Sequence, residues 1–243
     1  MAAAMGLEVE DRPSDSPFVE RVWRSRSFAV DRMMSVANPY TELVFWGGPG
    51  RIRVAVQGPE SRAGLAPVPP DTWFFGITFS LGTALPQLPA RLLLDGGIEL
   101  PEVTDRRFEL AGSRWFRPGF GNAEGFVDRL VREGVLGRDP VVAAAVDDHR
   151  LRVSLRTVQR RFLATTGLTP TAVRQILRAR QAAMLIMEGV PPVEVVHTLG
   201  YFDQPHLTRS LARYIGRTAR QLRRVDPAEP LSLLYKTEPP ANA

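Results

Sequence analysis

The 243-residue sequence contains no cysteine. Disulfides, thiolate metal sites, thiol nucleophiles and thiol-based redox switching are therefore excluded. Lysine is almost missing too: of 31 basic residues only Lys236 is lysine, the rest being arginine. Histidine is scarce, with three residues, His149, His197 and His206, and no matching serine constellation. Neither a catalytic site nor a metal site follows from so few groups, and no cofactor is expected. No window approaches 18 uninterrupted apolar residues, so no membrane span is expected. Met1–Asp15 holds no apolar core of signal-peptide length, from which a cytoplasmic location is expected.

What the chain does have is a divided charge. Its net charge is +5. Residues 147–225 carry 14 arginines against 5 acidic residues, a net of +9, while the remainder carries 17 basic and 21 acidic residues, a net of −4. A concentrated basic segment selects a polyanionic partner, nucleic acid first among them. Codon bias explains arginine in place of lysine but not the concentration of charge.

The pattern of apolar residues divides the chain the same way. Hydrophobic residues make up 44% of it, enough for a core in each of two domains. Residues 1–16 read as a polar, poorly ordered lead. Residues 17–135 read as a β-rich domain, a small barrel or sandwich followed by a helix. Short apolar runs such as Glu42–Trp46, Ile52–Val56 and Trp73–Phe79 lie between turn signals such as Gly58-Pro59, Pro69-Pro70-Asp71 and Asp95-Gly96-Gly97. From Ala123 the period becomes helical, with Phe126, Leu130 and Val131 on one side and a stop near Gly134. Residues 140–224 read as an all-α domain, so the fold class is α+β.

The basic segment repeats itself at an offset of 49 residues. Ser154–Phe162 aligns with Asp203–Leu211, Gly167 with Gly216, and Thr169 with Thr218. Ser154 and Asp203 are helix N-caps, whose side-chain oxygens accept from free N–H groups of the first turn. Val158/Leu207 and Phe162/Leu211 point into a core, and the polar residues between them point outward. Thr169-Pro170 opens the helix that joins the two copies. A short apolar helix precedes each copy, at Val141–Val146 and Val193–Leu199. Helix, tight turn and capped helix with a basic outer face is helix-turn-helix logic, written twice.

With Ser154–Phe162, Gly167–Pro170, Leu199-Gly200-Tyr201, Asp203–Arg209 and Gly216, residues 140–224 resemble the DNA-binding domain of the AraC/XylS family of transcriptional regulators. The resemblance covers about a third of the chain. It implies two recognition helices set into successive major-groove segments of double-stranded DNA. Two positions depart from the pattern. Arg152 stands where the first turn usually has glycine, at a cost of about 1 kcal/mol or more if the backbone there is left-handed. Ala219 replaces a helix-initiating proline.

On that frame Arg156, Gln159 and Arg160 of the first copy and Gln204, His206 and Arg209 of the second are the expected base-reading residues. Arginine pairs bidentately with guanine, and glutamine with adenine. Arg161, Thr208 and Arg213 are expected at phosphates, and Pro205 at a thymine methyl or simply at the helix start. Arg178 and Arg180 of the joining helix read as surface pairs. For the first half the family implies a small-molecule sensor or dimerisation domain, frequently cupin-like. Asn38–Glu42, Trp46–Gly48 and Trp73–Phe79 resemble an N-terminal domain of some AraC-like regulators. A small-molecule effector and a homodimer are thus implied as partners. Trp46, Trp73, Phe75 and Phe79 read as core ahead of pocket lining, and Arg51 and Arg53 as an exposed strand face; no effector-binding residue is assigned. An alkylation-repair enzyme built on a related domain needs the cysteine this chain lacks. An adaptor that kept the helical domain but lost DNA recognition is the alternative, and Arg152 is the feature in its favour.

Overall fold

The computed structural model describes residues 6–28, 30–48, 51–104, 106–147, 153–224 and 230–232. Its first half is strand-rich: β1 (Gly6–Pro13), β2 (Val19–Phe28), β3 (Arg32–Ser35), β4 (Glu42–Gly48), β5 (Arg51–Gln57), β6 (Gly64–Pro67), β7 (Trp73–Phe79), β8 (Thr83–Ala84), helix α1 (Ala90–Leu93), β9 (Gly97–Glu99), β10 (Glu102–Thr104), β11 (Arg107–Leu110), β12 (Ser113–Phe116), helix α2 (Ala123–Arg132) and β13 (Gly137–Arg138). The second half is helical: α3 (Pro140–Val146), α4 (Leu155–Thr166), α5 (Pro170–Met187), α6 (Pro192–Thr198), α7 (Gln204–Tyr214) and α8 (Ala219–Leu222).

A six-stranded antiparallel sheet in the order β1-β2-β7-β4-β5-β9 organises the first half. It is open, with β1 and β9 at its edges, and the described strands do not close into a barrel. Alternation drives it: Phe75, Ile77 and Phe79 of β7 and Leu43 and Phe45 of β4 share one buried face. Phe45 stacks on Phe75 at 5.5 Å and meets Phe108 of β11 edge-on at 5.4 Å, so the small β10-β11-β12 sheet covers the large one. Phe126 of α2 closes the sandwich against Trp115 at 6.0 Å. At Gly76 the missing side chain makes room for the ring of Trp23, which a Cβ would strike at 2.1 Å.

Of the lead expected at residues 1–16, Gly6–Pro13 is instead strand β1, paired with β2 from Gly6↔Phe28 to Pro13↔Arg21, and residues 1–5 lie outside the described residues. Its alternation is ionic rather than apolar, which is why it reads as loop. Glu10 pairs with Arg24 at 2.5 Å, Asp11 with Arg21, and Arg12 with Glu124 of α2 at 2.5 Å.

The two halves share a core. Val36, Ala37, Tyr40 and Leu81 of the strand-rich half join Ile176, Ala179, Ala183, Ile186, Leu211 and Ile215 of the helices in one buried cluster. Arg180, read from sequence as a surface pair, lies in this interface at 1% exposure and donates to the Ala37 carbonyl at 3.1 Å. It follows Ala179 on the face of α5 that is turned toward the strands. Nearby, the Glu42 carboxylate accepts from Thr78 Oγ1 at 2.8 Å and Asn38 Nδ2 at 3.2 Å, and the Glu60 carboxylate accepts from Ser35 Oγ at 2.8 Å.

Burial raises the Glu60 carboxyl to about 7, Ser35 and Arg180 opposing the rise and the charges of Glu42 and Asp95 adding to it. Burial raises Glu42 as well. A carboxyl whose folded value lies above its unfolded one gives stability that is complete below the unfolded value near 4.3 and lost as pH rises through the folded value. Thermal stability should therefore fall between pH 4.5 and 7, and Glu60→Gln should flatten that fall by about 2 kcal/mol, the limit of roughly 1.4 kcal/mol per unit being reduced by partial solvent access. Melting curves of both proteins across that range measure it; parallel slopes would contradict it.

Candidate nucleic-acid interface

Each motif is built by its caps. In the first, the Asp139 carboxylate accepts from the N–H groups of Val141 and Val142 at 2.9 and 3.1 Å, and Pro140 opens α3. Ser154 Oγ accepts from Thr157 N–H at 3.2 Å and starts α4, which Gly167 ends at φ 69°. Val158 and Phe162 are buried; Arg156, Gln159 and Arg160 are exposed on the other side. Arg152 and His149 lie outside the described residues.

In the second motif α6 ends in Gly200 at φ 64°, where only glycine is unstrained. The Asp203 carboxylate accepts from His206 N–H at 2.7 Å and starts α7. Leu207 and Leu211 are buried, while Gln204, Pro205, Thr208 and Arg209 are exposed. Buried Tyr201 braces the turn: its hydroxyl meets Ser210 Oγ at 3.2 Å and the Arg178 guanidinium lies 4.4 Å over its ring. Burial raises the Tyr201 phenol. Arg178, read as a surface ion pair, is thus held on its own domain, donating also to the Gly200 carbonyl at 3.4 Å.

The structure divides the nine residues expected at DNA. Arg156, Arg160 and Arg209 project into solvent, and among the described residues nothing forms an ion pair or hydrogen bond with them. Gln159 and Gln204 are exposed beside them. His206 turns back: its ring meets Tyr201 edge-on at 5.2 Å and its Nδ1 accepts from Phe202 N–H at 3.4 Å. Arg161 reaches the Asp139 carboxylate at 3.4 Å and ties α4 to the cap of α3. Thr208 Oγ1 donates to the Gln204 carbonyl at 3.0 Å, and Arg213 lies 5.3 Å over the Tyr214 ring.

Two exposed apolar residues at the leading ends of the recognition helices went unread in the sequence. Phe202 is 90% exposed and Leu155 is 82% exposed. Phe202 precedes the N-cap, where an apolar residue commonly staples onto the helix's fourth residue, here Leu207. It does not, so local folding leaves its exposure unexplained. The repeat carried a signal, since Phe202 aligns with Val153, also exposed at 41%.

Among the described residues no group of histidine and carboxylates suits a metal ion, and no helix is long and apolar enough to cross a membrane. Two capped helices with free cationic outer faces define a double helix-turn-helix, a DNA-binding architecture. Residues 149–225 match the helix-turn-helix domain family of the AraC type. That match spans about a third of the chain and supports a DNA-binding, transcription-regulator role for those residues. No curated protein and no solved structure matches it.

Loss of the α7 cap in Asp203→Ala should lower stability by about 1 kcal/mol, and Asp203→Asn should recover most of it. Denaturant titration of the three proteins checks this; an Asp203→Asn protein as weak as Asp203→Ala would deny the capping role.

Proposed function

We propose that the protein reads a specific duplex sequence with α4 and α7 laid in successive major-groove segments, under control of a small molecule bound by the strand-rich half. The observation that carries the reading is the repeated cationic face, without ion-pair partners among the described residues: Arg156 and Arg160 on one helix and Arg209 on its equivalent. Exposed glutamines beside them supply the adenine-reading partner. Arg161, Thr208 and Arg213, with side chains settled on their own helices or on α3, position phosphates. His206 supports the turn and presents its outer edge to the groove, and Phe202 meets a thymine methyl or a sugar.

Control by an effector is supported by a cleft of about 530 Å³ at the mouth of the sandwich. Trp73, Phe75 and Phe120 give it apolar surface, and Arg24, Arg26 and Arg117 with Glu8 and Glu10 its charges. The notable guanidiniums lie over rings, Arg117 over Trp73 at 5.0 Å and Arg24 over Phe120 at 4.8 Å. Phe79, by contrast, is core, and Trp46 is covered by Arg53, which also pairs with Glu99.

Selection from pooled genomic duplexes at two salt concentrations tests the reading. Retained sequences should share a motif, and affinity should fall steeply with salt because phosphate neutralisation releases counterions. Arg209→Ala should weaken the selected sites about 5- to 100-fold while leaving random duplex nearly unchanged. Equal loss on both would make Arg209 a phosphate contact. No retention even at low salt would leave the adaptor reading in its place.

A further inference from the structure

We propose that the strand-rich half is a ruler for the two recognition helices: it seats the equivalent ends of α4 and α7 and thereby sets the half-site spacing the protein accepts. The proposal rests on the DNA reading above and adds to it the means by which the first half acts on the second.

The two seats fall on equivalent residues of the repeat. Gly167 ends α4 and Gly216 follows α7, at φ 69° and 72°. A Cβ on Gly167 would lie 3.4 Å from both the Ala90 carbonyl oxygen and Leu94 Cβ, at the end of α1. A Cβ on Gly216 would lie 2.5 Å from the Met34 sulfur and 3.2 Å from Ala63 Cβ. Both helices therefore rest on the strand-rich half at their C-terminal ends. Their capped N-terminal ends, with Arg156, Arg160 and Arg209 on the outer faces, stay open. A clamp that gripped from behind in this way would fix the readers without covering them.

Main-chain bonds make the seats stiff. Ala37 N–H donates to the Tyr214 carbonyl at 2.7 Å and Ala63 N–H to the Arg213 carbonyl at 2.9 Å. Arg180, in the middle of α5, donates to the Ala37 carbonyl and joins the second seat to the connecting helix. On the side of the first motif Asp139 N–H donates to the Gly82 carbonyl at 2.8 Å, and a Cβ on Gly82 would meet Val142 of α3 at 3.0 Å. The chain beyond the second motif returns as well: Met34 N–H donates to the Pro230 carbonyl at 2.9 Å and Ser232 N–H to the Met34 carbonyl at 2.8 Å.

The connecting helix holds both motifs in one core, with Phe162 of α4, Ile176 of α5 and Leu211 of α7 in the same buried cluster, and the seats brace that core from outside. α5, with 18 residues, is about 27 Å long. It ends in a turn at each side, one through Gly167 and the other through Gly189 at φ 96°. Two motifs packed on one helix and both seated on a third body form a closed ring, in which neither turns without straining a seat. Duplex DNA is a strict judge of that difference. Half-sites a helical turn apart lie about 34 Å from each other, and one added base pair moves the second by about 3.4 Å and rotates it around the axis.

Two readouts test the ruler. The cysteine-free chain accepts two unique labels on exposed positions of the recognition helices, Ala164→Cys and Ala212→Cys. Spin labels there give the distribution of inter-helix distances in the full-length protein without DNA. Leu94→Ala loosens the first seat and Met34→Ala the second, neither touching a DNA-facing residue. Selection from random duplexes, with wild type and each variant, gives the half-sites and the spacing between them. The ruler predicts a narrow distance distribution and one enriched spacing in wild type. In either variant it predicts a broader distribution and the same half-sites spread over neighbouring spacings. Unchanged distance widths, or variants that keep the single wild-type spacing, would overturn it and leave α5 as the sole determinant. Wild type that enriches no sequence would defeat the DNA reading, and the distance distributions would then decide the seats by themselves.

Discussion

The shared core between strands and helices is the constraint from which the rest follows. Val36, Ala37, Tyr40 and Leu81 of the strand-rich half lie in one buried cluster with residues of the helices. They are covered because α5 and α7 lie on them. Ile176, Ala183 and Ile215 of the same cluster are fully buried. Each Å² of apolar surface removed from water there contributes roughly 25 cal/mol, and a few polar groups are taken in with it. Those groups are still high-stakes, because an unpaired buried charge is far more costly than a missing contact. Arg180, Glu42 and Glu60 are tolerated there because each has oxygen or nitrogen partners at hydrogen-bond distance.

Much of this was legible from residue order, and for stated physical reasons. Ser154, Thr169 and Asp203 declared helix starts because a short side-chain oxygen has one good use ahead of an apolar-periodic run. Gly167 and Gly216 declared stops because a left-handed residue is cheap only in glycine. The runs Glu42–Trp46 and Trp73–Phe79 declared strands by alternation, and α+β followed. The outward residues Arg156, Gln159, Arg160 and Arg209 followed from the same periodicity read from the other side.

What escaped the sequence lies in tertiary pairing. β1 carries glutamate, aspartate and arginine where a strand detector looks for valine, since its partners are opposite charges on β2 and α2. Arg180 looked like any helix-surface arginine, because nothing local says that a second domain will cover that face. Whether such strands make a barrel or a sandwich is a matter of which edges meet, and periodicity within a strand is silent on its neighbours. His206 was placed by type among base readers, and nothing in the sequence spacing indicated that its ring would also meet Tyr201 of the turn.

The equivalence of Gly167 and Gly216 also bears on how such a protein can change through descent. A terminal glycine of an ordinary helix answers to its own backbone alone and drifts to asparagine at small penalty. Each of these two answers in addition to a surface on the other half of the molecule, Ala90 and Leu94 for one, Met34 and Ala63 for the other. Grafting this helical domain onto an unrelated sensor would strip both glycines of their supports at once. Recombination at the boundary between the halves would separate the two surfaces that meet at these glycines.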